Sequence, residues 1–104
     1  MNYKVLFTEF SKADLKELDA SVAIVVKRMI DKVSTNPLPK SEGGYGEPLG
    51  HKHGNNLTGC CKIKLVKHGV RVVYKLIRED GAMKIIVIAA RADNEVYDIA
   101  AARI

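Results

Sequence analysis

Five residues in the second half of the chain have the types and spacing to act on a phosphodiester: Lys62, Lys64, Arg71, Arg91 and Tyr97. The lysines alternate with aliphatic residues in a KIKL segment, the first arginine lies in a GVRVVY segment, and the tyrosine follows the last arginine by six residues. Cleavage of RNA by its own 2′-hydroxyl needs a base, cations against the charge on five-coordinate phosphorus, and a donor for the leaving oxygen. The five residues therefore predict a site that cleaves RNA by attack of its own 2′-hydroxyl.

Each candidate suits one part of the reaction. Arg71 and Arg91 suit the phosphate because a guanidinium stays charged and binds two oxygens at once. Neighbouring cations disfavour the charged form of a lysine, so Lys62 or Lys64 can act as base or as electrostatic stabiliser. Tyr97 either stacks on a nucleobase, orients the phosphate or packs on the edge of a sheet.

Positive charge is concentrated around these residues. Residues 57–78 contain six cations and no carboxylate, whereas residues 1–56 contain eight cations and seven acids, and the net charge of the chain is +5. A local basic field is typical of a polyanion-binding surface. The alternative is the solvated face of an amphipathic strand, but such faces usually mix both signs.

Length and composition indicate one domain, residues 1–104, with 47% hydrophobic content. No run of apolar residues approaches the length of a membrane span, and no basic segment leads into an apolar signal region. We expect a soluble, cytoplasmic protein that does not act at a membrane.

A metal site is the alternative use of the cysteines and histidines. Cys60 and Cys61 are adjacent, and His51 and His53 lie nearby in a glycine-rich stretch. Their spacing matches no standard zinc pattern, so we expect free thiols, solvated histidines, no metal and no cofactor.

The N-terminal third predicts a strand over residues 3–7 and two helices. Ser11 is the expected cap of a first helix over 12–19. A second helix has an apolar stripe from Val22 to Val33 and ends before Pro37. The two helices are expected to form an antiparallel hairpin.

The remainder predicts a long loop, three strands and a helix. All three prolines and five of the eight glycines lie in residues 36–56, which indicates an irregular loop. Strands are expected over 59–66, 70–78 and 82–91, followed by a helix capped by Asp93.

Strand pairing decides which side chains meet. A two-residue turn before residue 70 would place Lys64 opposite Val73, and a three-residue turn ending at Gly81 would place Arg71 opposite Ala89. The basic face would then carry Lys62, Lys64, Arg71, Lys75 and Arg91. The opposite face would carry the apolar residues Ile63, Leu65, Val70, Val72, Tyr74, Leu76, Ile86, Ile88 and Ala90.

The predicted fold is α+β, with an N-terminal strand and helical hairpin packed on a mainly antiparallel twisted sheet in the order β-α-α-β-β-β-α. With the KIKL and GVRVVY segments, Arg91 and Tyr97, the whole chain resembles the RelE/ParE superfamily of type II toxin–antitoxin toxins. The motifs are most similar to the RelE-like mRNA interferases. Cys61 and Val70 depart from the family, which often has aromatic residues at these positions, and the loop over 36–56 is longer than in compact members.

The resemblance implies a ribosome-dependent endoribonuclease. Such toxins cut mRNA codons in the ribosomal A site by 2′-hydroxyl attack, leave a 2′,3′-cyclic phosphate, use no metal and inhibit translation. By that analogy Lys62 and Lys64 supply base and charge stabilisation, Arg71 and Arg91 hold the phosphate, and Tyr97 stacks on a base. The implied partners are mRNA, the ribosomal RNA surface and a cognate antitoxin, with DNA contacted only through the antitoxin complex.

Two other functions fit the same resemblance. A ParE-like toxin would inhibit DNA gyrase by binding and have no nuclease activity, and the shared fold does not separate the two. The five-residue set favours the nuclease, because a gyrase binder does not need it. An inactive relative that binds an antitoxin is the third interpretation.

Overall fold

A five-stranded sheet runs through the centre of the molecule and has helices on both faces. The computed structural model describes residues 2–52 and 54–104. The elements are β1 (Lys4–Phe7), α1 (Glu9–Glu17), α2 (Ala20–Ser34), β2 (Glu47–Lys52), β3 (Asn55–Leu65), β4 (Val70–Ile77), β5 (Ala82–Ala89) and α3 (Asp93–Arg103). Within these residues, every helix is too short or too polar to cross a membrane.

The strand order is β1-β5-β4-β3-β2, in which β1 runs parallel to β5 and all other neighbours are antiparallel. The predicted α+β fold with a mainly antiparallel sheet is therefore confirmed. Helices α1 and α2 lie over a core cluster that includes Val26, Ile30, Ile63, Val72 and Tyr74. The buried stripe of α2 matches the predicted one.

Strand β2 lies inside the segment that was predicted to be an irregular loop, and that prediction was wrong for Glu47–Lys52. Pro48 and Gly50 concealed the strand in the sequence. A proline is tolerated here because β2 is an edge strand that does not need every N–H. The register shifts between Pro48 and Gly50, and Gly50 has a φ of 60°. Glu47 thereby lies opposite Lys62 of β3.

The segment before β2 is packed rather than open. The hydroxyl of Tyr74, which is fully buried, donates to the carbonyl oxygen of Pro37 at 2.7 Å. A Cβ at Gly46 would lie 2.3 Å from that hydroxyl, so only glycine fits there. The chain between α2 and β2 is therefore held against the sheet.

Both predicted helix caps lie too late in the sequence, Ser11 by three residues and Asp93 by one. Thr8, not Ser11, caps α1, because Thr8 Oγ1 accepts from the N–H of Ser11 at 3.0 Å and Ser11 Oγ accepts from the N–H of Thr8 at 2.9 Å. Ala92 occupies the cap position of α3. Asp93 is then the first residue of the helix, and its carboxylate is free to bind elsewhere.

β3 and β4 pair two residues away from the predicted register. Lys64 lies opposite Arg71 and Lys62 opposite Val73. The connection has four residues because a 3-10 turn precedes Gly69, whose φ is 65°. A shift of two residues keeps every side chain on its own face, so both lysines and the arginine still share one side.

β4 and β5 pair as predicted at Arg71 and Ala89, for a reason the sequence did not show. Their connection has four residues instead of three, although Gly81 has the expected left-handed φ of 58°. A bulge at Ile86 then restores the register. Ile86 consequently lies with Val73, so its predicted placement on the opposite face was wrong.

The face predicted to be basic also carries a second apolar cluster beneath α3, which corrects the expectation of one polar and one apolar face. The cluster contains Leu49, Leu57, Cys60, Val73, Ile86, Val87, Val96, Tyr97 and Ala100. In addition, β5 ends at Ala89, so Ala90 is exposed and Arg91 lies in the connection to α3.

Asp14 and Arg103 join α1 to α3 around the edge of β5. Because β1 pairs with β5 only up to Ile85, the next backbone groups of β5 need other partners. Asp14 Oδ2 accepts from the N–H of Ile88 at 3.0 Å, and Arg103 donates to the carbonyl of Ile86 at 3.0 Å. The same arginine binds the Asp14 carboxylate at 2.6 and 3.2 Å.

Arg103→Ala is expected to lower the free energy of unfolding by about 2 kcal/mol, because it leaves a partly buried carboxylate and a strand carbonyl without their donor. Urea unfolding followed by circular dichroism measures this. The matched control is Arg78→Ala, which removes an arginine from the exposed bidentate pair with Glu42. We expect a much smaller change there, and equal losses in the two variants would contradict the role of Arg103.

Candidate functional site

The predicted site forms where α3 crosses β3 and β4. Lys62 is central, since its side chain is 8% exposed and its ammonium must find partners in the protein. Lys62 Nζ donates to the hydroxyl of Tyr97 at 2.8 Å, and it lies 3.4 Å from Asp93 Oδ2 and 3.7 Å from Glu47 Oε2. The structure therefore brings two of the five predicted residues together with the carboxylates of Glu47 and Asp93.

Arg71 is the second fixed cation. Its Nε binds the other carboxylate oxygen of Asp93, Oδ1, and its Nη1 donates to the backbone carbonyl of Arg91. The side chain of Arg71 is 18% exposed, so it is more buried than a residue on a fully solvated face. A continuous chain of contacts thus runs from Arg91 through Arg71, Asp93 and Lys62 to Tyr97.

Asp93 links the two fixed cations, and sequence reasoning gave it only a capping role. Its position contained a usable signal: it lies between Arg91 and Tyr97, and residues four apart on a helix share a face. Cations on both sides lower the pKa of the Asp93 carboxyl, even though partial burial acts in the opposite direction. The carboxylate is therefore charged at neutral pH.

The pKa of Lys62 is raised, which reverses the premise on which this lysine was a candidate base. Burial lowers the pKa of Lys62, but the Tyr97 hydroxyl and the charges of Asp93 and Glu47 together outweigh burial. The sequence prediction counted the neighbouring cations and missed the acids. Lys62 is consequently a fixed positive charge in the free protein.

Lys64 and Arg91 are the exposed cations of the site. Lys64 lies on the same face as Lys62, directly opposite Arg71, and no carboxylate within residues 2–52 and 54–104 pairs with it. The side chain of Arg91 is 60% exposed and lies 3.5 Å from Glu95 one helical turn away. These two side chains are accessible to a substrate without any rearrangement.

Tyr97 packs in the core beneath α3 and is 4% exposed. Its ring belongs to the second apolar cluster, and its hydroxyl binds Lys62. The expectation that it stacks on a nucleobase does not fit this placement, because stacking requires an accessible ring face. The hydroxyl, not the ring, is the part of Tyr97 that lies in the site.

The remaining candidate cation, Lys75, lies opposite Cys60 and Lys84 near the other end of β4. It shares the face of Arg71, as the sequence predicted, but it is not in contact with the Asp93 network. The site thus contains the four cations Lys62, Lys64, Arg71 and Arg91 and the three carboxylates of Glu47, Asp93 and Glu95, so one net positive charge remains. The free site is far less basic than the sequence indicated.

The adjacent cysteines do not form a common site. Cys61 lies in the core cluster with Ile63, while Cys60 lies in the cluster under α3 on the other face. Burial raises the pKa of both thiols. The described residues include no group of three or more His, Cys, Asp or Glu side chains placed to hold a metal ion, and His53 lies outside them.

Known proteins are similar to this chain in sequence and in fold. A curated RelE-like toxin protein of Escherichia coli is 27% identical over 103 residues, which are 99% of this chain and 98% of that protein. No protein-family model matches the chain.

Two solved structures of E. coli RelE extend the likeness to three dimensions. A double arginine-to-alanine variant of RelE in the free state has a TM-score of 0.77 and 27% identity, covering 100% of this chain and 99% of that one. The same variant in complex with an antitoxin RelBc peptide has a TM-score of 0.71 at 27% identity, with the same coverage. Sequence, fold and length agree over the whole chain, and these likenesses support a toxin of the RelE superfamily.

Proposed function

We propose that the protein is a ribosome-dependent mRNA endoribonuclease that inhibits translation by cutting codons in the ribosomal A site. The 2′-hydroxyl of the substrate loses its proton and attacks the adjacent phosphorus, the bond from phosphorus to the 5′-oxygen of the next nucleotide breaks, and that oxygen takes up a proton. The products are a 2′,3′-cyclic phosphate and a 5′-hydroxyl, with no metal required. The single observation that carries the proposal is the contact network of Lys62, Arg71, Arg91 and Tyr97, with Lys64 opposite Arg71.

In this proposal Arg71 and Arg91 bind the scissile phosphate. The geometry supports it, because Arg71 holds the carbonyl of Arg91 and so fixes the start of the connection from which the Arg91 side chain projects. Two guanidinium groups at one phosphate stabilise the charge that develops on its oxygens in the transition state.

Lys64 is the proposed base for the 2′-hydroxyl. Lys62 is unsuited to that task because its acidic neighbours keep it protonated. Lys64 is exposed, lies beside Arg71 and has no acidic partner in the described part of the chain. Lys62 then supplies positive charge from beneath the phosphate, and the Tyr97 hydroxyl fixes the position of its ammonium.

A cognate antitoxin is the proposed regulatory partner. The support is the E. coli RelE structure solved with an antitoxin peptide, which matches this chain over its whole length. Such a partner would prevent the toxin from acting on translating ribosomes.

Arg91→Ala is expected to slow cleavage on programmed ribosomes by about 100-fold, because one phosphate ligand is lost from the transition state. Its stability should stay within about 0.5 kcal/mol of wild type, since the side chain is mostly exposed. Primer extension on mRNA from a cell-free translation system locates and quantifies the cuts.

Arg28→Ala is the control for that measurement, because it removes an equal charge from an exposed position on α2. Undiminished cleavage by Arg91→Ala would contradict the phosphate-binding role. Intact mRNA with the wild-type protein would contradict the nuclease itself, and inhibition of gyrase supercoiling in the same preparation would favour the ParE-like alternative.

Lys64→Arg is expected to reduce the single-turnover cleavage rate by about 100-fold or more, because general base catalysis contributes at least that much. Arginine keeps the positive charge but does not give up its proton at neutral pH. The rate is measured on preformed ribosome–mRNA complexes with enzyme in excess. Lys67→Arg, which changes an exposed lysine in the next turn, is the matched control, and full activity of Lys64→Arg would exclude Lys64 as the base.

A further inference from the structure

Asp93 holds the two least exposed cations of the site in the way a phosphate would hold them. One carboxylate oxygen binds Arg71 Nε, and the other lies 3.4 Å from Lys62 Nζ. A phosphodiester likewise offers two non-bridging oxygens that carry one negative charge, and it bridges a guanidinium and an ammonium in the same manner.

We propose that Asp93 is an internal competitor for the substrate phosphate, so that RNA binds by displacing its carboxylate from Arg71 and Lys62. The proposal rests on the proposed function of the same site and adds a specific residue that sets its affinity. Once Asp93 is displaced, the guanidinium of Arg71 and the ammonium of Lys62 bind the phosphate oxygens in its place.

Exposure indicates that exchange at Asp93 is possible. The Asp93 side chain is 36% exposed, whereas the side chains of Lys62 and Arg71 are 8% and 18% exposed. A phosphate arriving from solvent therefore meets the carboxylate before it reaches either cation. Asp93 is the first residue of α3, so its side chain can turn outward without unwinding the helix.

The negative charge of Asp93 determines the direction and the size of the expected change in RNA affinity. Removing one negative charge a few ångströms from a bound phosphate removes a repulsion that solvent only partly screens. We expect an Asp93→Asn variant to bind single-stranded RNA about fivefold more tightly at low salt. Its salt dependence should steepen, because the variant neutralises more of the RNA charge.

The probe is a short RNA with 2′-O-methyl groups at every position, which cannot be cleaved by 2′-hydroxyl attack. Its binding to the free toxin is measured by fluorescence anisotropy at several salt concentrations. Asp93→Glu keeps the charge and should bind as wild type does. Asp98→Asn removes the same charge from the same helix, where Asp98 binds Asn55 instead of the site cations, and it should change the affinity less than about twofold.

Asparagine and alanine substitutions separate competition from positioning. The Asp93→Asn variant retains a neutral side-chain oxygen that can hold Arg71, so this substitution removes chiefly the charge. Asp93→Ala also releases both cations from their common acceptor, and it should bind less tightly than Asp93→Asn. Equal affinities for Asp93→Asn and Asp98→Asn, weaker binding by Asp93→Asn, or no binding by either variant would overturn the proposal.

A second measurement covers the case in which the Asp93 variants do not fold. In the wild-type toxin, the carboxyl carbon of Asp93 should shift in its NMR spectrum when the RNA probe saturates the protein, because the carboxylate loses both cations. An unchanged resonance would refute displacement. Both tests are independent of cleavage. If RNA displaces Asp93 but the protein leaves ribosomal mRNA intact, the proposed nuclease function is refuted and the role of Asp93 as a competitor stands.

Discussion

The buried ammonium of Lys62 is the constraint on which the architecture of the site depends. A charge that loses its water must be paired, because leaving it unpaired costs several kcal/mol. Its partners come from two other elements: Glu47 from the neighbouring strand β2, and Asp93 and Tyr97 from α3. The ion pairs and the hydrogen bond of the Lys62 ammonium therefore hold both the edge strand β2 and the helix α3 in place against β3.

The same pairing explains why the surface is less basic than the sequence indicated. Counting charges along residues 57–78 finds no acid, but the acids arrive from β2 and from α3, outside that window. Glu47 and Asp93 thereby pair with the two less exposed site cations, Lys62 and Arg71, in the free protein. In the proposed binding of RNA, the field that the RNA meets first comes from Lys64 and Arg91, and Lys62 and Arg71 become available when Asp93 is displaced.

The faces of the strands were predictable from the sequence, whereas their exact pairing was not. Side chains alternate along a strand, so a register error of two residues left Lys62, Lys64 and Arg71 together. Between β4 and β5, the four-residue connection shifts the pairing by one residue from the prediction, and the bulge at Ile86 shifts it back. Arg71 therefore lies opposite Ala89, as predicted. A register error of two residues leaves each side chain on its predicted face of the sheet, but it changes which residues are in contact.

Other features depend on contacts between residues that are distant in sequence, and local patterns do not encode them. The strand β2 was concealed because Pro48 is acceptable only at an edge, and the edge is a property of the whole sheet. The role of Asp93 depends on partners 22 and 31 residues away. The raised pKa of Lys62 follows from those same contacts, so its protonation state could not be derived before the fold was known.

The two ends of α3 determine how the buried cations can become accessible. At its C-terminal end, Arg103 binds Asp14 and the edge of β5, and in its middle Val96 and Tyr97 are buried against the sheet. Lifting the helix would expose those side chains at a cost of roughly 4 kcal/mol or more, in addition to the loss of the arginine contacts. Exchanging a partly exposed carboxylate for a phosphate replaces one set of charge-assisted hydrogen bonds by another and leaves the helix in place. The smaller movement is therefore the side-chain exchange at Asp93, with α3 remaining the rigid support on which it occurs.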